Sequence, residues 1–170
     1  MINDLTKTDR IGHWAWRLSL LVLVSLTLNS ANAANIQGQR FQDWGGNCEV
    51  IEREQVCYLQ QILTERNKPL LVSVIGYTQG KRYPTFVVEL QGQADLNKGL
   101  FLQIDQNTKL RFTGSCQKQV CTAGFTLDAK MLKQLKKGRK AMLTYTPKVG
   151  KTRKLPISLM GITSGLQALR

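Results

Sequence analysis

The sequence predicts a mainly β protein, an antiparallel β-sandwich with one or two short helices and two local disulfides. Three observations lead there. Apolar residues recur at every second position through much of the chain, the period of a half-buried strand. Turn residues break these runs at short intervals, as they do in sandwiches and barrels. All four cysteines, Cys48, Cys57, Cys116 and Cys121, fall into two close pairs.

The first element is a leader. Lys7, Arg10 and Arg17 outweigh Asp4 and Asp9, and the apolar run LSLLVLVSLTL (Leu18 to Leu28) follows, then NSANA. Ala31 and Ala33 bracket Asn32 as a small-x-small cleavage signal, so residues 1–33 are expected to be a secretory signal peptide. The run of eleven residues is well short of the ~20 that cross a bilayer. No lipobox cysteine follows it. Removing 33 of 170 residues leaves 137, expected to form one domain over 34–170. That length suffices to bury a core.

Export decides how the cysteines read. An even count in an oxidising compartment argues for disulfides. Zinc prefers tighter pairs helped by histidine, and the only histidine, His13, leaves with the leader. A thioredoxin-like centre needs two residues between its cysteines, which neither pair has. The expected bridges are Cys48–Cys57 and Cys116–Cys121, with EVIEREQV and QKQV as their hairpin turns. Loops of this size stabilise by about 2–3 kcal/mol each on the chain-entropy model.

The strands follow in order. LLVSVIGY (70–77) is apolar on both faces and is expected to be a central strand. In TFVVEL, Phe86, Val88 and Leu90 share a face; in LFLQID, Leu100, Leu102 and Ile104 do. After the turn DQNT, KLRF points Leu110 and Phe112 inward. Cys121, Ala123, Phe125 and Leu127 form another inward row, as do Leu155, Ile157 and Leu159. One helix interrupts them: Asp128 caps AKMLKQLKK and Gly138 suits the position past its end. Met131, Leu132 and Leu135 make its buried stripe, while Lys130, Lys133, Lys136 and Lys137 face water. TSGLQALR suggests a second short helix at the end.

Several segments together are similar to a known family. FQDWGGNCEV, QVCYLQQ, GLFLQID, RFTGSCQKQVCTAGFTLDAKMLKQLKKG and LPISLMGITSGLQAL resemble the invasion-associated locus B family of exported Gram-negative proteins, from Phe41 to Leu169. The most specific elements are Asp43–Trp44 ahead of Cys48, the Cys116–Cys121 segment leading into a Leu-Lys-rich helix, and Ser158–Leu159–x–Gly161. One stretch departs from the family pattern: ELQGQADLNKG stands where a Leu-Pro-Leu-Gly-like segment is usual. The resemblance implies a periplasmic or secreted β-sandwich linked in pathogens to host-cell entry, with no enzymatic activity.

The residue inventory points to no catalytic residue, no metal set and no cofactor. Without histidine the mature chain lacks the commonest general base and metal ligand. No Gly-x-Ser-x-Gly elbow occurs, and GYTQGK (76–81) lacks the spacing of a phosphate loop and reads as a hairpin turn. Of the acids only Glu49, Glu52 and Glu54 cluster, in the presumed Cys48–Cys57 turn, where they are expected to be solvated.

Charge is the strong signal. The full chain carries +13, and the leader removes three bases and two acids, leaving +12. From Ala129 to Arg170 there are eleven basic residues and no acid. Ten of them are candidate anion ligands: Lys130, Lys133, Lys136, Lys137, Arg139, Lys140, Lys148, Lys151, Arg153 and Lys154. KVGKTRK reads as a hairpin turn whose charges join the helix lysines on one side. Such a face draws polyanions by raising encounter rate and local concentration. The expected partners are anionic envelope or host-surface polymers, with peripheral membrane association as a related mode. Nucleic acid suits the charge but not the compartment, and none is expected. Two other readings stand beside this one. A carboxylate-only glycan hydrolase requires paired acids in a cleft. A structural partner of another envelope protein requires an exposed apolar patch or an open sheet edge.

Overall fold

The computed structural model describes residues 35–78 and 80–170; the expected leader, 1–33, lies outside them. The chain runs through β1 (Arg40–Phe41), β2 (Trp44–Ile51), β3 (Glu54–Glu65), β4 (Lys68–Gly76) and β5 (Thr85–Gln91). Then come β6 (Leu100–Ile104), β7 (Leu110–Phe112), β8 (Gly114–Gln117) and β9 (Val120–Thr126). Helix α1 (Ala129–Lys137), β10 (Lys140–Tyr145), β11 (Arg153–Ser158) and α2 (Ile162–Ala168) complete it. Among the described residues the strands form two antiparallel sheets, ordered β1-β2-β3-β4-β5-β9-β8 and β11-β10-β6-β7.

The period-two rows make the core between the sheets. Phe86, Val88 and Leu90 of β5 are buried, as are Leu100, Leu102 and Ile104 of β6 and Leu155 and Ile157 of β11. Each such side chain contributes about 1.5–3 kcal/mol by leaving water. Phe125 of β9 meets Phe112 of β7 edge-on at 5.2 Å and tilts against Phe86 at 5.9 Å, joining the sheets through aromatic contact. The sandwich expected from the alternation is the fold observed.

Three expectations need adjustment. β4 is the middle strand of its sheet, as its sequence suggests. Only one of its faces is core, however: Leu71, Ser73 and Ile75 are buried while Leu70, Val72 and Val74 are half-exposed. EVIEREQV is not a loop. Strands β2 and β3 run to a two-residue turn at Glu52 and Arg53, both at positive φ (51° and 70°), so Glu49 and Glu54 lie on strands. Finally, Gly138 follows α1 with an extended φ of −75°, so the left-handed cap is not its reason. A β-carbon there would stand 2.9 Å from both Ile104 and Leu159; Gly138 is there for space.

The remaining helix details follow the sequence. The Asp128 carboxylate accepts from the Met131 N–H at 2.7 Å, Leu132 and Leu135 are buried, and Met131 is half-buried. The stretch that departs from the family pattern is the crossover between sheets. Gly92 N donates to Gln119 O at 2.6 Å, Ala94 N to Cys121 Sγ at 3.2 Å, and Asp95 N to Thr146 O at 2.8 Å. It is thereby fastened to the second disulfide hairpin and to the β10–β11 connection.

Candidate functional site

The ten basic candidates divide into two groups. Lys130, Lys133 and Lys137 are exposed on one flank of α1 and border a hollow of about 330 Å³. Helix spacing brings them together, since positions three and four apart share a face. Gln134, Asn107, Gly138 and Asp105 complete the lining. The Gln134 amide donates to Asn107 Oδ1 at 3.3 Å, and Asn107 in turn donates to Ile104 O at 3.0 Å. Asp105 is the acid of the hollow. Its carboxylate is engaged by backbone, accepting from Arg139 N at 3.3 Å and Lys140 N at 3.2 Å. These two bonds place Arg139 and Lys140, both exposed, beside the end of α1. Lys136 departs from the expected set of water-facing lysines: it is half-buried, and its carbonyl accepts from the Thr163 hydroxyl of α2 at 3.0 Å.

The second group sits on the β10–β11 hairpin. Lys148, Lys151 and Lys154 are exposed. Arg153 is half-buried, donates to Glu65 Oε1 at 2.7 Å, and is raised above its ordinary pKa by that bond. β10 separates this hairpin tip from the α1 end, a strand of six residues and thus about 17–20 Å at ~3.3 Å per residue. The lysines of α1 and of KVGKTRK therefore do not converge on one spot.

The cysteines pair as expected. Cys48–Cys57 and Cys116–Cys121 are bonded and directly opposite in register, with Cα atoms 4.0 and 3.9 Å apart. Each bridge is a rung across a hairpin, and none of the four cysteines is free.

Two arrangements are absent from the sequence reading. In the first, the motif residues at opposite ends of the chain meet. The Ser158 hydroxyl donates to the Asp43 carboxylate, Trp44 Nε1 donates to Ser158 O at 2.9 Å, and Ser158 N donates to Gln61 Oε1 at 2.9 Å. Gly161, at φ 87°, lies so close to Phe41 that a β-carbon would stand 1.8 Å from its carbonyl oxygen. With Trp44 and Leu159 buried, this cluster clasps β1 and β2 to the end of β11.

The second lies on the outer face of the seven-stranded sheet, where a groove of about 540 Å³ runs over β3, β4 and β5. Ile51, Val56, Val74 and Val87 floor it; Glu52 and Glu54 edge it. Those glutamates are exposed as expected, yet they border a hollow. Tyr58, also in the lining, donates to Glu49. Burial, that bond and the negative charge of Glu49 and Glu89 push its phenol up to about 12. Among the described residues no helix is long and apolar enough to cross a membrane.

Comparison with known proteins agrees with the fold. The model of the family described as "Invasion associated locus B (IalB) protein" matches residues 44–170. No curated relative matches the chain. A crystal structure of invasion associated protein B from Bartonella henselae superposes with a TM-score of 0.68 at 17% identity, covering 77% of this chain and 92% of that one. At this identity the likeness is one of fold.

Proposed function

The chain belongs to the invasion associated locus B family, and from that premise we propose that it is an exported, non-catalytic protein whose basic surface meets anionic polymers of the bacterial envelope or of a host surface. The family name and the Bartonella henselae protein of the same fold support a role connected with invasion. The observation that carries the binding reading is the hollow beside α1. Lys130, Lys133 and Lys137 line a single depression, and among the described residues none of the three is in an ion pair. From Lys130 to Lys137 is about 10 Å along a helix axis, a spacing suited to successive charges on a polymer.

The hairpin lysines add a second, separate point of attraction. A polyanion long enough to reach both would gain from their linkage, since the second contact becomes intramolecular. Anionic headgroups at a membrane surface present the same chemistry, so peripheral association belongs to the same reading.

The test is direct. Protein purified from cells expressing the full chain should bind heparin and lipopolysaccharide at low salt. Binding should weaken steeply as salt rises, because exposed charges are screened beyond about 8 Å at physiological ionic strength. No binding to either polymer at low salt would refute the proposal.

A further inference from the structure

We propose that the acid-edged groove of the seven-stranded sheet receives the β10–β11 hairpin tip of a second copy of this chain. The tip carries Val149, 90% exposed, with Lys148 on one side and Gly150 and Lys151 on the other. No other large hydrophobic among the described residues is as exposed. Its base is held in shape: Lys148 N donates to Gln93 O at 3.0 Å, and Thr146 and Thr152 share a hydroxyl bond at 3.0 Å. The tip is thus a preformed apolar knob between two positive charges, so little order has to be gained on docking.

The groove is its complement in both respects. Its floor is apolar, its edge carries Glu52 and Glu54, and no lysine or arginine lines it among the described residues. Arg53 stands between the two glutamates in sequence. At the far end Arg170 stacks on Tyr77 at 5.3 Å, where a guanidinium already occupies the aromatic wall. Ile51, part of the floor, is 51% exposed. In a chain this basic, an apolar surface edged by acids matches the chain's own knob in chemistry.

The contact has to be between copies. The tip belongs to the end of the sandwich where Arg153 reaches Glu65, the last residue of β3. The groove begins at Glu54, the first residue of the same strand. β3 is 12 residues long, so its two ends lie about 36 Å apart at ~3.3 Å per residue. A knob at one end and a socket at the other make a head-to-tail contact, which propagates into a ring or a filament. Edge-to-edge pairing is a poor alternative at β11, whose outer side presents Lys154 and Pro156, both of which blunt a sheet edge.

Sedimentation of protein expressed as the full chain tests this. Wild type should show mass rising with concentration, and Val149→Asp should remove that rise. Glu52→Lys with Glu54→Lys should remove it as well. All three positions are exposed, so these variants should keep the wild-type Tm. Mixing the two variants is the decisive step. One keeps only its socket and the other only its knob, so the mixture should give 1:1 dimers and nothing larger. Wild type monomeric at every concentration, Val149→Asp assembling like wild type, or a mixture that stays monomeric would each overturn the proposal.

Discussion

At Gly161 a methyl group would stand 1.8 Å from the Phe41 carbonyl oxygen, on a backbone at φ 87°. Gly161→Ala should therefore cost more than the about 1–3 kcal/mol of a strained backbone position alone. Ser158→Ala removes two hydrogen bonds, the one the hydroxyl donates to an exposed carboxylate and the one it accepts from Met160 N at 3.2 Å, and should cost only about 0.5–1.5 kcal/mol for each. Denaturant unfolding of the two variants checks the order. Asp43–Trp44 and Ser158–x–x–Gly161 were legible as motifs, but their meeting was not. Periodicity is local, and Asp43 and Ser158 are 115 positions apart. Tyr58 makes a second prediction at this scale. Its phenol is raised from 10.0 to about 12, so the folded state holds that proton more tightly than the unfolded one. The resulting stability is complete below about pH 10 and is lost as pH climbs through 12. Tyr58→Phe should flatten the fall of Tm over that window, and Glu49→Gln should move the phenol's absorbance titration back toward 10.0. A titration unchanged by Glu49→Gln would contradict any part for Glu49 in holding the proton.

The two disulfide hairpins look alike as elements but are not equivalent. Chain entropy favours the longer loop: separations of 9 and 5 correspond to about 2.7 and 2.2 kcal/mol. Surroundings reverse the order. Cys121 is fully buried and its sulfur accepts from the buried Ala94 N–H at 3.2 Å, whereas Cys48 and Cys57 are half-buried. Replacing Cys116 and Cys121 with Ala leaves that N–H unsatisfied, adding about 1–3 kcal/mol. The 116–121 double variant should therefore be the less stable of the two, read from denaturation midpoints. The pairing was legible because the count is even and each pair flanks a polar stretch. The turn between Cys48 and Cys57 was not. Glu52 and Arg53 adopt positive φ, a conformation that Asn-Gly would have advertised and Glu-Arg does not. A turn spanning Glu49 to Val56 conceals the groove, since Ile51 and Val56 then read as loop rather than as one face of a sheet.

Across the whole molecule, strand alternation was enough to find the sandwich, because side chains on one face repeat every second residue whatever the topology. Charge placement was less legible. An acid-free stretch is a property of sequence, and β10 carries its two halves to opposite ends of a strand. Lys136 left the exposed set because α2 packs beside it, a contact no helical pattern contains. What remains is a local claim: Lys130, Lys133 and Lys137 form a site, and the rest of the positive charge is a field. The measurement that tests it compares heparin affinity at physiological salt for three variants, each losing three positive charges. One replaces Lys130, Lys133 and Lys137 with Gln, the second Lys148, Lys151 and Lys154, and the third the scattered Arg40, Arg53 and Lys68. All three should unfold within about 0.5 kcal/mol of wild type, as exposed substitutions do. The hollow variant should lose the most affinity, the hairpin variant less, and the scattered variant least. Equal losses in all three, or none in the first, would contradict a binding site beside α1.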